Sequence, residues 1–212
     1  MNGFPRIREI NYQQIRPEIR SGDILLCSGN AFFSNLIQNA TQSVWSHVGF
    51  ILRVDQIDRV MVLESVESIG VRAVPLCSYV KDYNGTKKSY PGKIMIARHR
   101  DIKQENIVNL SRYATDLLGR PYNSEEIARI AARISMNAVG IQNQTHGIPE
   151  HEYICSEYAY VCFKSIGIEI PYNPLGFIAP VDFAKCDEIE PLCYIEMEKQ
   201  IIQNPHPVPL PQ

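Results

Sequence analysis

The amino-acid sequence predicts an α+β protein in which one antiparallel sheet packs against helices. Two observations indicate this class. Short β-rich runs fill the first half of the chain, and the long helices with apolar periodicity follow them. The chain has 212 residues, of which 45% are hydrophobic and 21% are charged, as is typical of a globular protein with a sizeable core.

Five short segments have the composition or the alternation of β-strands, with turn residues between them. These segments are residues 24–27, 47–54, 60–65, 70–74 and 93–98. Four segments show apolar residues at helical spacing. They are residues 31–40, residues 105–118 with Gly119 as the terminal cap, residues 124–137 with Asn123 and Glu126 as a capping pair, and a helix from Cys155 that ends before Gly167.

The charge balance narrows the possible partners. Lys plus Arg total 21 and Asp plus Glu total 23, a net charge of -2, which argues against binding nucleic acid or anionic membrane through bulk positive charge. The first residues lack the apolar run of a signal peptide, and no later run approaches the roughly 18 apolar residues of a membrane span. We therefore expect a cytoplasmic protein without an integral membrane segment.

Cys155 is the candidate nucleophile. It falls at the predicted start of a helix, where unpaired N–H groups and the positive end of the dipole favour a thiolate over a thiol. Cys162 lies two turns further along and is expected in the core. Most of the six cysteines are expected to be buried free thiols, because none has the spacing of a zinc knuckle.

His47 is the candidate base and Glu64 the candidate orienting residue. His47 opens an apolar strand, where its ring would be held rigidly but remain accessible. Glu64 interrupts an apolar strand, in which a carboxylate is costly without a partner. If the two strands are neighbours, Glu64 could hold one imidazole nitrogen while the other faces Cys155. The alternative is that Glu64 points to solvent from an edge strand.

Five ordered motifs resemble the circularly permuted branch of the NlpC-like cysteine peptidases, which have a papain-like fold and are related to lecithin:retinol acyltransferase. The resemblance spans roughly residues 21–186. The motifs are Gly22-Asp23-Ile24-Leu25-Leu26, Ser46-His47-Val48-Gly49-Phe50, Leu63-Glu64-Ser65, Gly119-Arg120-Pro121-Tyr122 and Tyr153-Ile154-Cys155-Ser156-Glu157. The histidine motif precedes the cysteine motif, which is the order of the permuted branch.

The resemblance implies a Cys155–His47–Glu64 triad that hydrolyses amide bonds, often in cell-wall peptides containing a diamino acid, without a cofactor. It also places the hydroxyl of Tyr122 beside the active site. We further predict that Trp45, Ser46 and Ser156 bind substrate. Residues 1–203 would form one catalytic domain with a helical insertion at about 124–150, and the proline-rich residues 204–212 would form an extended tail.

Two alternatives concern the insertion. Arg129 and Arg133 can pair with Glu125 and Glu126 as a solvated, salt-bridged face, or they can belong to a lid or to a site for an acidic or lipid-like substrate. A zinc site formed by His146, His151 and Cys155 is disfavoured, because their spacing matches no familiar ligand pattern. No metal is therefore predicted.

Three functions remain open from the sequence. The first is a cysteine amidase or peptidase that acts on a small peptide or amino-acid derivative. The second is an acyltransferase or lipase-like enzyme that acts on lipid or N-acyl substrates with the same triad. The third is a binding module that kept the fold without catalysis.

Overall fold

A seven-stranded sheet forms the centre of the computed structural model, which describes residues 6–29, 32–138, 152–173 and 176–197. The strands are β1 (Glu9–Asn11), β2 (Ile24–Ser28), β3 (His47–Val54), β4 (Arg59–Val66), β5 (Gly70–Pro75), β6 (Lys93–His99) and β7 (Ile189–Glu196). Their spatial order is β1-β7-β6-β2-β3-β4-β5. Neighbouring strands are antiparallel except for β1 and β7, which pair in parallel at one edge.

Helices cover both faces of this sheet, which confirms the predicted α+β class. They are α1 (Tyr12–Ile15), α2 (Phe32–Thr41), α3 (Leu76–Lys81), α4 (Gln104–Asp116), α5 (Ser124–Ala138), α6 (Cys155–Lys164) and α7 (Pro180–Lys185). The five predicted strands and four predicted helices are all present, with bounds that differ by one or two residues. In the described part of the chain, no helix is both long and apolar enough to cross a membrane.

The alternation of side chains along the strands divides the core in two. On the face that we call the α6 face, Phe50 of β3 packs its ring against Tyr158 and Phe163 of α6, with centroid distances of 5.7 Å and 5.6 Å. Helices α4 and α7 cover the same face. On the opposite face, called the α3 face, Val62 of β4 packs among residues of α1 and α3. Each strand near the site therefore sends its side chains alternately to two different helical layers.

Main-chain hydrogen bonds join the start of β5 to the segment after α4. The N–H of Val71 donates to the Arg120 carbonyl at 2.8 Å, and the N–H of Gly119 donates to the Val71 carbonyl at 2.9 Å. Gly70 makes this approach possible, because it has φ +87° and an added Cβ would lie 2.1 Å from the Arg120 oxygen. This contact brings the Gly-Arg-Pro-Tyr motif beside the β4–β5 turn.

Replacing Gly70 with alanine should therefore destabilise the fold strongly. We expect Gly70→Ala to lower the free energy of unfolding by about 3 kcal/mol, because the left-handed backbone and the clash with a main-chain oxygen add to each other. Gly85→Ala is the matched control, since Gly85 has φ +72° but no atom within 4 Å of the added Cβ. The control should cost about 1 kcal/mol in urea denaturation. An equal decrease in the free energy of unfolding for Gly70→Ala and Gly85→Ala would show that the close approach of Gly70 to Arg120 does not contribute to stability.

Candidate active site

Cys155 is the first residue of α6, as predicted, and it lies buried at the base of a cleft. The helix begins after Ile154, whose N–H donates to the Glu157 carboxyl group at 3.1 Å. Cys162 is fully buried on the α6 face, which confirms its expected place in the core. All six cysteines are unpaired, and Cys77 is the exposed one.

Three hydrogen bonds from side chains to main-chain carbonyls fix the first turn of α6. The Ser65 hydroxyl of β4 donates to the Tyr153 carbonyl at 2.6 Å, just before the helix. The Ser156 hydroxyl donates to the Ile178 carbonyl at 2.8 Å. The Tyr158 hydroxyl donates to the Ala114 carbonyl of α4 at 3.0 Å. The position of Cys155 is therefore set by β4, by α4 and by the segment before α7.

His47 lies between Cys155 and Glu64. Its Nε2 is 2.6 Å from the Glu64 Oε2 atom, and its ring lines the same cleft as Cys155, whose thiol helps to raise the pKa of the imidazole. Because Nε2 faces Glu64, Nδ1 is the ring nitrogen that remains for the thiol. The structure thus brings together the three residues predicted for the triad.

Glu64 is fully buried in β4, between β3 and β5, so the alternative of a solvent-exposed residue on an edge strand is wrong. Its carboxylate accepts hydrogen bonds from three side chains. His47 and the hydroxyl of Tyr79 bind Oε2, while Nε and Nη2 of Arg72 lie 2.9 Å from Oε1. The sequence analysis missed Arg72 and Tyr79. Arg72 could have been found from the hairpin, since a turn centred on Ser68 places it opposite Glu64.

The electrostatics of this cluster favour an ion pair between His47 and Glu64. Burial disfavours the Glu64 carboxylate, but the hydrogen bond and charge of His47, together with Arg72 and Tyr79, lower the pKa of Glu64 below its usual range. Burial also disfavours the imidazolium. Hydrogen bonds to Cys155 and Glu64 outweigh that effect and raise the pKa of His47 to about 10. At neutral pH the pair is therefore imidazolium and carboxylate.

The cleft above Cys155 has a volume of about 800 Å³, its open mouth included. Polar and apolar side chains from several elements line it. They are Ile37, Ser46, His47, Ser65, Val66, Glu67, Ser68, Ile69, Arg72, Tyr83, Asn84, Tyr90, Tyr122 and Cys155. Tyr122, whose pKa is raised by burial and by the nearby negative groups, is among them, as the resemblance implied.

The other predicted substrate-binding residues have structural contacts. Ser46 lines the cleft, but its hydroxyl accepts the N–H of Gly29 at 2.8 Å. Ser156 is fully buried, and its hydroxyl holds the Ile178 carbonyl. Trp45 is only 3% exposed and stacks on Tyr194 with a centroid distance of 6.3 Å. Its ring is buried in the core, and the substrate-binding role of Trp45 stays a prediction.

A second, apolar pocket adjoins Cys155, with a volume of about 310 Å³ that includes the open solvent at its mouth. It lies between α2, α5 and the segment before α7, and its lining is almost entirely aliphatic or aromatic. Its lining residues are Ile37, Thr41, Ile127, Ile130, Ile154, Cys155, Ser156, Phe177, Ile178, Ala179 and Pro180. The thiol therefore borders a polar cleft and an apolar pocket.

The charged residues of α5 do not all form the solvated face considered from the sequence. Glu125 and Arg129 are exposed and paired at 3.1 Å, as expected. Glu126 is only 3% exposed, and its carboxylate lies 3.7 Å from the largely buried Arg133. Burial, opposed by the Ile154 N–H and assisted by Glu126, raises the pKa of Glu157 to about 7.

The disfavoured zinc site depends on His146 and His151, which lie outside the described residues, as do residues 139–150 of the predicted insertion and the tail at 204–212. Among the described residues, no group of three or more His, Cys, Asp or Glu side chains could hold a metal ion.

The sheet, the start of α6 at Cys155 and the chain order of histidine and cysteine are those of a cysteine hydrolase with a permuted papain-like fold. The sequence model of a family described as "Permuted papain-like amidase enzyme, YaeF/YiiX, C92 family" matches residues 18–128, more than half of the chain. The protein therefore belongs to this family of cysteine peptidases and amidases. No comparison tests the relation to lecithin:retinol acyltransferase, which stays a prediction.

A solved structure has the same fold. It is described as "metalloprotein yiiX from Escherichia coli O157:H7", with a TM-score of 0.61 and 18% identity. The alignment covers 84% of this chain and 98% of the E. coli chain. No curated protein matches the sequence.

The ion pair predicts a defined pH dependence of stability. His47 has a raised pKa, so its contribution is complete below its ordinary pKa of 6.5 and is lost as the pH rises toward about 10. Glu64 has a lowered pKa, so its contribution is lost only as the pH falls below its ordinary 4.5. Between pH 6.5 and about 10, the free energy of unfolding of the wild type should therefore fall by up to about 1.4 kcal/mol per pH unit. His47→Gln should lack this slope. Urea denaturation of both proteins from pH 6 to 9 measures the difference, and parallel curves would contradict the ion pair.

Proposed function

We propose that the protein is a thiol amidase in which Cys155 is the nucleophile, His47 the acid–base and Glu64 the orienting residue. The observation that carries the proposal is that His47 binds Glu64 at 2.6 Å and lines the same cleft as Cys155. A nucleophile, a base in hydrogen-bond contact with it and a third group that fixes the base form the arrangement used in covalent catalysis.

The proposed reaction has two stages. With the thiol proton on His47, the Cys155 thiolate attacks the amide carbonyl carbon and forms a tetrahedral adduct. The imidazolium then donates its proton to the leaving nitrogen, the C–N bond breaks, and an acyl-enzyme thioester remains. In the second stage His47 takes a proton from water, the hydroxide attacks the thioester, and the acid product leaves as the proton returns to sulfur.

We infer that the substrate is a small peptide or amino-acid derivative, including a cell-wall-derived peptide with a diamino acid. A cleft of about 800 Å³ has room for two or three residues, and its tyrosine, serine and asparagine side chains suit amide hydrogen bonds. The exposed Glu67 carboxylate at this cleft provides a negative group for a substrate amine.

The apolar pocket beside Cys155 favours a second candidate, the hydrolysis or transfer of an acyl group from a lipid-like or N-acyl substrate. An aliphatic group bonded to the reacting carbonyl could enter between Ile127, Ile130 and Phe177. Product analysis on muropeptides, N-acyl amino acids and phospholipid esters distinguishes the two candidates. The third possibility, a binding module without catalysis, predicts no turnover on any of them.

One description among the comparisons mentions a metal. The E. coli relative is described as a metalloprotein, and that description belongs to that protein. The proposed steps for this chain use its own thiol, imidazole and carboxylate groups.

Cys155→Ala should abolish hydrolysis while the fold survives. We expect the rate to fall roughly a thousandfold or more, because the variant cannot form the acyl-enzyme. Cys162→Ala is the matched control, since it removes a buried sulfur from the same helix at a cost of about 1 kcal/mol without touching the cleft. Turnover of any validated substrate by Cys155→Ala at a rate near that of the control would exclude Cys155 as the nucleophile.

Substitutions of Glu64 should rank in a definite order. Glu64→Gln keeps an oxygen that accepts from His47 but loses the charge that stabilises the imidazolium. Glu64→Ala loses both the charge and the hydrogen bond. Activity should therefore fall from wild type to Gln to Ala, with the Ala variant still above Cys155→Ala. We would measure kcat and KM for each variant, and an Ala variant as active as wild type would show that Glu64 does not orient His47.

A further inference from the structure

Tyr79 contacts the same carboxylate oxygen that binds His47. It belongs to α3, on the α3 face of the sheet, and its hydroxyl donates a hydrogen bond to Glu64 Oε2. Nε2 of His47 lies 2.6 Å from that oxygen, and Arg72 binds the other one. Both oxygens of the carboxylate therefore have a donor in addition to the histidine.

Tyr79 has no access to substrate. Its side chain is 1% exposed, and it is absent from the residues that line the cleft. Its ring packs against Tyr83 and Tyr90, with centroid distances of 5.0 Å and 5.4 Å, and a phenylalanine ring could make the same contacts. The hydroxyl is what distinguishes Tyr79 from a plain core residue, and Glu64 is the group that it contacts.

The terminal torsion of a glutamate is broad, so packing alone does not fix the plane of a carboxylate. Donors on both oxygens do fix it. Arg72 approaches Oε1 along β5, and Tyr79 approaches Oε2 from α3, which leaves one direction of Oε2 for His47. Without the hydroxyl, the carboxylate could rotate about this torsion and carry the imidazole away from Cys155.

The charged and titratable groups around Glu64 come from every element packed against it. They are His47 of β3, Arg72 of β5, Tyr79 of α3, Cys27 of β2, Cys155 of α6, and Tyr83 and Tyr90 after α3. Arg72 and His47 are the cations of this set. The hydroxyl of Tyr79 is the neutral donor that touches the carboxylate directly.

We propose that Tyr79 is a positioning residue, whose hydroxyl holds the Glu64 carboxylate in the plane that directs His47 toward Cys155. This proposal rests on the proposed triad and deepens it. Tyr79 acts through Glu64 and never on substrate. Its loss should therefore lower the reactivity of the thiol only when Glu64 is present.

The test measures alkylation of Cys155 by iodoacetamide and needs no substrate. All variants carry Cys77→Ser, because Cys77 is the exposed thiol. Mass spectrometry of the Cys155 peptide gives the rate from pH 5 to 9. We expect Tyr79→Phe to slow alkylation roughly three- to tenfold near pH 6, as for the loss of one typical hydrogen bond. The acid limb of the plot of alkylation rate against pH should also move to higher pH. The lost hydroxyl had favoured the ionised form of Glu64, and this carboxylate stabilises the imidazolium beside the thiol.

A double-mutant cycle provides the decisive comparison. In a Glu64→Ala background, Tyr79→Phe should change the alkylation rate by a factor of about 1, because the group through which it acts is gone. Tyr160→Phe is the matched control, since its hydroxyl also donates to a carboxylate, that of Glu169 at 2.8 Å, and it does not line the cleft. It should leave the pH profile unchanged.

Each outcome of the cycle is informative. Equal slowing by Tyr79→Phe in both backgrounds, or the same shift in Tyr160→Phe, would mean that Tyr79 acts through general stability and would overturn the proposal. Normal alkylation in Tyr79→Phe, with slow alkylation in Glu64→Ala, would overturn the proposal alone and leave the triad intact. Normal alkylation in Glu64→Ala would overturn the orienting role of Glu64 and that of Tyr79 together.

Discussion

The buried carboxylate of Glu64 is the constraint on which the rest of the site depends. An ionised group inside an apolar strand costs several kcal/mol unless donors replace the lost water. Here β3, β5 and α3 each supply one, as His47, Arg72 and Tyr79. The cost of burying this carboxylate therefore favours the observed arrangement of β3, β4, β5 and α3, whether or not a substrate is bound. The hydrogen bond to Glu64 also holds the histidine ring in the cleft that Cys155 lines.

The site forms where the two faces of the sheet meet. Glu64 and Tyr79 belong to the α3 face, whereas Cys155 begins a helix packed on the opposite face. The two sets reach each other because β3 begins at His47, so the imidazole stands at the end of the sheet. A histidine further along β3 would be separated from α6 by the sheet itself. The position of His47 in its strand is therefore as important as its chemistry.

The elements that were predicted from the sequence are those whose formation depends on local residue patterns. Apolar periodicity identified β3, β4 and α6, and the start of α6 at Cys155 followed from that pattern. The short helix α3 has too few residues to show a period, and Pro191 interrupts β7, so neither was predicted. Arg72 and Tyr79 were missed for a different reason. The contact of Tyr79 depends on helix docking, which no local pattern encodes, whereas that of Arg72 follows from the register of the β4–β5 hairpin. Sequence proximity to His47 also does not say which side of the chain faces the cleft, and the ring of Trp45 is buried in the core.

The hydrogen bonds from Ser65, Ser156 and Tyr158 to main-chain carbonyls have a thermodynamic consequence. They connect the first turn of α6 to a central strand, to α4 and to the segment before α7. Local opening of that turn would break contacts in three separate elements, so its free energy approaches that of global unfolding. On heating, the reactive geometry and the packed core should therefore be lost in one cooperative transition, with no intermediate in which the fold persists and the thiol has left its place.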